Sequence, residues 1–407
     1  MSTWREAWDE VHTRVINDAH LVTGDQLSAM VNGAVGRAGL TAEVLVVDLA
    51  QRLLSPVSPQ LVAPIAVEGT LAGRAYQFGE ITSAMDDRGS RLLWVPMFDG
   101  TERVGVLRIR LAEEIKDDQE LRQRCWSLAG LMGHIVMTKI AYSDRLRWLR
   151  SHGSLSVPSD LLWQLLPPRT FATERVVVTA LLEPHDQVAG DAYDYAADAT
   201  TLGLAVFDAV GHDMRACLTT AVAVTAIRNA RRAGETDLAI LATRADHMLA
   251  DQGDTLRFVT AVLARLDTET GLLHYLIAGH PRPLLVRGGQ VVKELAHLVR
   301  CPLGISPVNP DTPVVAREQL EPGDRLLLYS DGIVEARDPA GNFFGQQRLV
   351  DFTERASLAK LSAPETLRRL TAAILDYQGG RLQDDATLLL VDWSPKGHRQ
   401  MSPVFPP

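Results

Sequence analysis

The sequence predicts a mixed α+β chain: two domains joined by a helical segment, the second a sandwich in which helices flank antiparallel sheets. Three observations predict it. Apolar runs of strand length are joined by turns too short for a crossover helix, as in "DTETG" between Leu266 and Leu272, which makes antiparallel neighbours rather than a parallel doubly wound sheet. Helix-like runs at 214–232, 236–250 and 363–377 accompany those strands. A nearly breaker-free run from Asp118 to Arg150 separates this strand-rich half from a smaller mixed one.

In chain order, "AEVLVVDL" reads as a strand, and "LLWVPMFDGTERVGVLRIRL" reads as a hairpin turning at Phe98-Asp99-Gly100-Thr101. Residues 1–117 form the first domain, and residues 118–166 the helical linker. In the linker, Leu121, Cys125, Leu128, Met132, Val136, Ile140, Leu146 and Leu149 recur at helical spacing. The break expected there is "SHGSLSVP", with Gly153 as a permissive hinge and Pro158 starting the helix "SDLLWQLL", which Pro167 and Pro168 stop. A stripe this long either packs on the first domain or pairs with a second copy, and on the second reading the chain is a homodimer. The strands "RVVVTALLEP", "LGLAVFDAV", "RFVTAVLARLD", "LLHYLIAG", "PLLVRGG", "DRLLLYSDG" and "ATLLLVDW" fill residues 167–394, and the Pro-rich residues 395–407 read as a flexible tail.

Composition narrows the function classes. With 407 residues, 46% hydrophobic and 22% charged, the chain is globular, and its net charge of −9 argues against general binding to nucleic acid or an anionic membrane. Cys125, Cys217 and Cys301 are odd in number and far apart, offering neither a disulfide framework nor a CxxC knuckle, and a reducing cytoplasm fits them. The N-terminus has no signal-peptide pattern. No run approaches the roughly 18 apolar residues of a membrane span, and "ACLTTAVAVTAI" is short enough to be a buried core helix.

Aspartates recur at strand ends: Asp191 in "VAGDAYDY", Asp208 in "GLAVFDAVGHD", Asp331 in "LLLYSDG" and Asp384-Asp385 in "LQDDATLLLV". Each alone is a turn residue, and in S-D-G the glycine ordinarily serves a positive φ. Together, with no basic residues beside them, they repel one another unless cations lie between them. Oxygen ligands without a Cys or His cluster suit Mg²⁺ or Mn²⁺ rather than Zn²⁺. Two such ions sharing a carboxylate supply the Lewis acidity that phosphoester hydrolysis uses.

From about Leu165 to Val391 the text resembles the bacterial SpoIIE/RsbU-like branch of the PPM/PP2C serine/threonine phosphatases. The resemblance rests on "LLPPRTF", "AGDAYD", "DAVGHD", "FVTAVLARLD", "AGHPRPLLV", "PLGI", "LEPGDRLLLYSDGIVEARDPAGNFFG" and "QDDATLLLV" in this order. It implies an α-β-β-α sandwich with two Mn²⁺ or Mg²⁺ ions between the sheets. It also implies Asp191, Asp208, Asp331 and Asp384 as ligands, with Asp208 touching both ions and the carbonyl of Ala209 contacting one. Ala189 and Asp213 depart from the family pattern, each standing where glycine is usual. Asp213 either tunes metal affinity or faces water, and Asp194 and Asp385 are candidates to orient the ligands. Gly211 and His212 shape the turn beside Asp208, while His280 of "AGHP" is expected to be structural. The first domain is similar to GAF sensor domains, and its lack of cysteine excludes a thioether-linked bilin.

The resemblance implies a metal-dependent protein serine/threonine phosphatase acting on a phosphorylated STAS-type anti-anti-sigma protein, regulated by a small-molecule or protein effector at the first domain. The alternatives are a metal-poor pseudophosphatase that signals by contact and a small-molecule phosphatase.

Overall fold

Runs of aliphatic and β-branched residues set the strands of both halves, and the way their two faces are covered sets the layers. The computed structural model describes all residues except 1, 2, 59–62, 88, 152–155, 184–189, 212, 252–256, 297, 298, 306–312, 396, 398–400 and 402–407. The described residues fall into two units, one ending in the 151–154 region and the other running from there to Met401.

The first unit contains α1 (Thr3–Asp9), α2 (Val11–Ala19), a helical turn at Gly24–Gln26, α3 (Leu27–Gly36), β1 (Leu40–Val47), β2 (Leu53–Pro56), β3 (Ile65–Ala66), α4 (Leu71–Phe78), β4 (Thr82–Met85), β5 (Arg91–Asp99), β6 (Glu102–Leu111), α5 (Gln119–Ile140) and α6 (Asp144–Ser151). Its antiparallel sheet runs β3-β2-β1-β6-β5-β4, with the expected β5–β6 hairpin turning at Gly100. Alternation gives each strand two buried faces. Val44, Val46, Leu93, Val95, Leu107 and Ile109 meet α3, α5 and α6, while Leu45, Val47, Trp94 and Val106 meet α4.

The helical run departs from expectation in two ways. It breaks at residues 141–143, ahead of "SHGSLSVP", because Ser143 Oγ accepts the Leu146 amide (3.3 Å) and starts α6, and the Arg147 guanidinium closes α5 by donating to the carbonyls of Ile140 and Ala141. The apolar stripe is also covered within its own unit. Leu121, Leu128, Met132, Val136, Leu146 and Leu149 are all buried against the first sheet, so the stripe supplies no argument for a second copy. The segment expected as a linker thus divides, with α5 and α6 in the first unit and the next helix in the second. The hinge residue Gly153 lies outside the described residues.

The second unit contains α7 (Val157–Leu165), β7 (Thr170–Ala172), β8 (Val176–Glu183), β9 (Asp191–Ala197), β10 (Thr201–Ala209), α8 (Met214–Arg232), α9 (Leu238–Ala250), β11 (Val259–Asp267), β12 (Leu272–Ala278), β13 (Leu284–Arg287), β14 (Gln290–Glu294), β15 (Ala316–Gln319), β16 (Asp324–Tyr329), α10 (Asp331–Val334), α11 (Gly345–Leu358), α12 (Ala363–Tyr377) and β17 (Ala386–Trp393). One sheet runs β15-β12-β11-β10-β9 and the other β14-β13-β16-β17-β8-β7, all neighbours antiparallel. Three cores define the layers. Val178, Ala180, Tyr193, Val206, Val262, Leu328 and Leu389 fill the space between the sheets. Phe207, Leu263 and Leu276 pack beneath α8 and α9, and Leu327, Leu388 and Leu390 pack beneath α11 and α12. The order is therefore α-β-β-α, as the flanking-helix pattern predicts. The "ACLTTAVAVTAI" run lies in α8 with Cys217, Val224 and Ile227 buried, and among the described residues no helix is long and apolar enough to cross a membrane. Within the expected tail, Met401 is packed into the α11–α12 core, while most of the remainder lies outside the described residues.

Candidate active site

Strand alternation decides which way each aspartate faces. In β10, Val206 lies in the inter-sheet core and Phe207 beneath the helices, so Asp208 turns to the inter-sheet side. In β9, Tyr193 and Ala192 divide in the same way, so Asp191 joins it, and the register places Asp191 directly opposite Asp208. The other sheet supplies the remaining acids. Asp331 follows β16, Asp384 and Asp385 precede β17, and antiparallel pairing brings the end of one strand beside the start of the other. Ser330 and Thr387 lock this junction. The Ser330 amide donates to the Thr387 carbonyl, and the Thr387 amide donates to Ser330 Oγ, each at 3.0 Å.

The electrostatics follow from this crowding. Burial, then the charges of Asp208 and Asp385, push the Asp191 carboxyl well above the usual carboxylate range, although the hydroxyls of Ser330 and Thr387 pull the other way. Asp208 is pushed up to about 8 by burial and by the charges of Asp331 and Asp384, with Asp331 and Asp191 in hydrogen-bond contact. Asp331 is raised by burial and by Asp384. Burial and mutual repulsion of this kind disfavour the charged forms, and a cation among the carboxylates would favour them. Asp191 Oδ2 is buried with no hydrogen-bond partner among the described residues.

This donor set fits a hard divalent cation in kind: carboxylate oxygens from two sheets, with no sulfur or imidazole among them. Among the described residues no three acidic, His or Cys side chains form a closed metal cage. The set is open, linked pairwise through Asp191, Asp208, Asp331 and Asp384, which suits ions that retain several waters.

Close backbone approach holds the two sheets' contributions together. The Gly190 amide donates to Asp385 Oδ2 at 2.5 Å, joining residues 195 apart in sequence. A Cβ on Gly190 would lie 2.6 Å from the Gly211 carbonyl oxygen and 3.1 Å from that of Ala209. Gly332 is not at positive φ, contrary to the turn expectation for S-D-G. It sits in α10, where a Cβ would lie 2.0 Å from the Asp385 carbonyl oxygen.

The flanking acids take separate roles. Asp385 lies beside the carboxylates, where it accepts the Gly190 amide and its charge raises Asp191. Asp194 does not. It is three residues from Asp191 on the opposite face of β9, where it pairs with Arg228 (2.5 Å) and Arg231 (2.8 Å) of α8. Asp213 is exposed and neither joins the carboxylates nor merely faces water. Its Oδ1 accepts the amides of Arg215 and Ala216, each at 2.9 Å, as the N-cap of α8. The signal for this was an Asp immediately before an apolar helical run. His280 Nδ1 lies 2.7 Å from Thr260 Oγ1, and burial pushes its pKa down to about 3. Gly211 takes φ +93° in the turn after β10, whereas Ala189 and His212 lie outside the described residues. Sequence reasoning passed over Ser330 and Thr387, whose hydroxyls approach Asp191, and a pocket of about 200 Å³ beside Ala209 whose lining includes Asp213, Arg215 and Arg257.

Residues 198–394 match the family model for stage II sporulation protein E. This part of the chain is similar to SpoIIE domains. The matched region spans Asp208, Asp331 and Asp384, with Asp191 added from just upstream. Members of the SpoIIE and RsbU-like PP2C group are serine/threonine phosphatases. The phosphoserine phosphatase RsbU of Bacillus subtilis is 24% identical over 277 residues, covering 65% of this chain and 78% of RsbU. Protein IcfG of a Synechocystis strain is 29% identical over 147 residues, covering 36% of this chain and only 22% of IcfG. Among solved structures, the SiaA PP2C domain of Pseudomonas aeruginosa aligns at 26% identity and TM-score 0.48, covering 53% of this chain and 86% of that domain. The RsbU and RsbW domains of a Mycobacterium tuberculosis protein align at 26% identity and TM-score 0.47, covering 54% and 62%.

Proposed function

We propose that the chain is a Mn²⁺- or Mg²⁺-dependent protein serine/threonine phosphatase, whose SpoIIE domain hydrolyses a phosphorylated STAS-type anti-anti-sigma protein under control of a GAF-like first unit. One observation carries the reading. In a SpoIIE domain, the ends of two sheets bring Asp191, Asp208, Asp331 and Asp384 into one mutually repelling set. Asp191, Asp208, Asp331, Asp384 and the Ala209 carbonyl are the groups that would hold two ions, which supply Lewis acidity when bound. Asp385, Ser330 and Thr387 keep those carboxylates in place. In the reaction, water forms a bond to phosphorus, the bond from phosphorus to the serine or threonine oxygen breaks, and that oxygen leaves with a proton. The likeness to RsbU, a phosphoserine phosphatase, supports the substrate class.

The test is hydrolysis of p-nitrophenyl phosphate with and without Mn²⁺, then release of phosphate from purified phosphorylated STAS proteins offered one at a time. Activity is expected only with added metal, to vanish with EDTA, and to fall more in Asp208→Asn than in any other single ligand variant. Full turnover after exhaustive chelation, or near wild-type turnover in Asp208→Asn, rejects the reading.

A further inference from the structure

The pocket beside Ala209 adjoins the last residue of β10, one position past Asp208. Its volume of about 200 Å³ is below the roughly 300–1,000 Å³ of sites that enclose small-molecule ligands. The space suits a single phosphorylated side chain. Two arginines line it, Arg215 from the first turn of α8 and Arg257 from just before β11. Among the described residues neither guanidinium pairs with a carboxylate, whereas Arg228 and Arg231 further along α8 are both taken up by Asp194. Unpaired guanidinium groups next to a cluster of carboxylates are placed to receive an anion that the cluster alone repels. The adjoining surface is apolar and open. Val210 is 63% exposed, Met214 39% and Leu218 43%, the last two one turn apart on α8. A polar phosphate pocket with an apolar margin matches a phosphorylated protein segment better than a small phosphoester.

We propose that Arg215 and Arg257 bind the phosphate of the substrate's phosphoserine or phosphothreonine, while Val210, Met214 and Leu218 take apolar side chains flanking that residue. This rests on the phosphatase reading and extends it to how the substrate is held.

The experiment uses the full chain with Mn²⁺, p-nitrophenyl phosphate, and a phosphoserine peptide with leucine on both sides of the phosphoserine. Inorganic phosphate is the competitive inhibitor. Arg215→Gln and Arg257→Gln are each expected to raise the inhibition constant for phosphate about ten-fold, the worth of one hydrogen bond to a charged group. The Mn²⁺ concentration for half-maximal activity should stay at the wild-type value, and Arg257→Lys should recover part of the loss. Leu218→Asp is expected to lower kcat/KM for the peptide several-fold more than for p-nitrophenyl phosphate. Unchanged inhibition constants in both glutamine variants overturn the phosphate assignment, and equal losses on both substrates in Leu218→Asp overturn the apolar one. Should the wild type hydrolyse neither substrate, the phosphatase reading fails by itself. Phosphate binding is then read by ³¹P NMR on the Mg²⁺-loaded protein, where weaker binding in the glutamine variants supports the assignment and equal or absent binding overturns it.

Discussion

Replacing Gly332 with alanine tests how the two halves of the carboxylate site are held in register. The new Cβ would lie 2.0 Å from the Asp385 carbonyl oxygen and 3.4 Å from Asp384 Cβ. The obstacle is backbone, so no side-chain rotation relieves it. The α10 turn and the segment entering β17 must move apart by about 1 Å to reach tolerable contact, an overpacking that costs about 1–3 kcal/mol. That movement separates Asp331 from Asp384, and a 1 Å misplacement at a reacting centre costs about 100-fold in rate. Turnover of p-nitrophenyl phosphate across a Mn²⁺ titration, together with urea unfolding, reads both effects. Gly130→Ala is the control: no atom lies within 4 Å of its Cβ position in α5, so it should hold or raise stability. Wild-type turnover and an unchanged unfolding midpoint in Gly332→Ala would refute the close-approach argument.

Asp194→Ala strands Arg228 and Arg231 against a nearly closed surface, and the second unit should lose about 3–5 kcal/mol in denaturant unfolding. Leu146→Ala opens a cavity beneath the first sheet and should cost the first unit about 2–5 kcal/mol, seen as a lowered first transition by calorimetry. Gly190→Ala should weaken Mn²⁺ activation, since its Cβ crowds the carbonyls of Gly211 and Ala209.

The second unit was legible because its patterns are local. Apolar runs and breakers set α8 and α12 at the bounds the sequence predicts, and short turns made the hairpins antiparallel. The four carboxylates were legible as a set because their strand-end positions repeat. What escaped depends on contacts that spacing does not encode. Spacing shows an apolar stripe on α5 and α6 but not which surface covers it, and the covering sheet belongs to the same unit. The Ser143 cap that divides that run is a single hydroxyl with little weight in a periodic pattern. Asp194 resembles a site aspartate in sequence, and only the alternation of β9 against α8 separates it from Asp191. Gly332 was read through turn chemistry, whereas its need comes from the Asp385 carbonyl, a long-range neighbour.

The last strand of the chain, β17, lies in the interior of its sheet, between β16 and β8. During synthesis β8 is therefore made long before its central partner, and the Gly190–Asp385 link spans nearly the whole unit. Loop closure over such separations is slow relative to local pairing. A chain in which β17 has not yet paired holds Asp191, Asp208 and Asp331 without Asp384 and Asp385 in place beside them, so full metal affinity is expected only when β17 inserts. Acquisition of Mn²⁺ binding is then expected to report completed folding of the second unit, with β17 paired between β16 and β8.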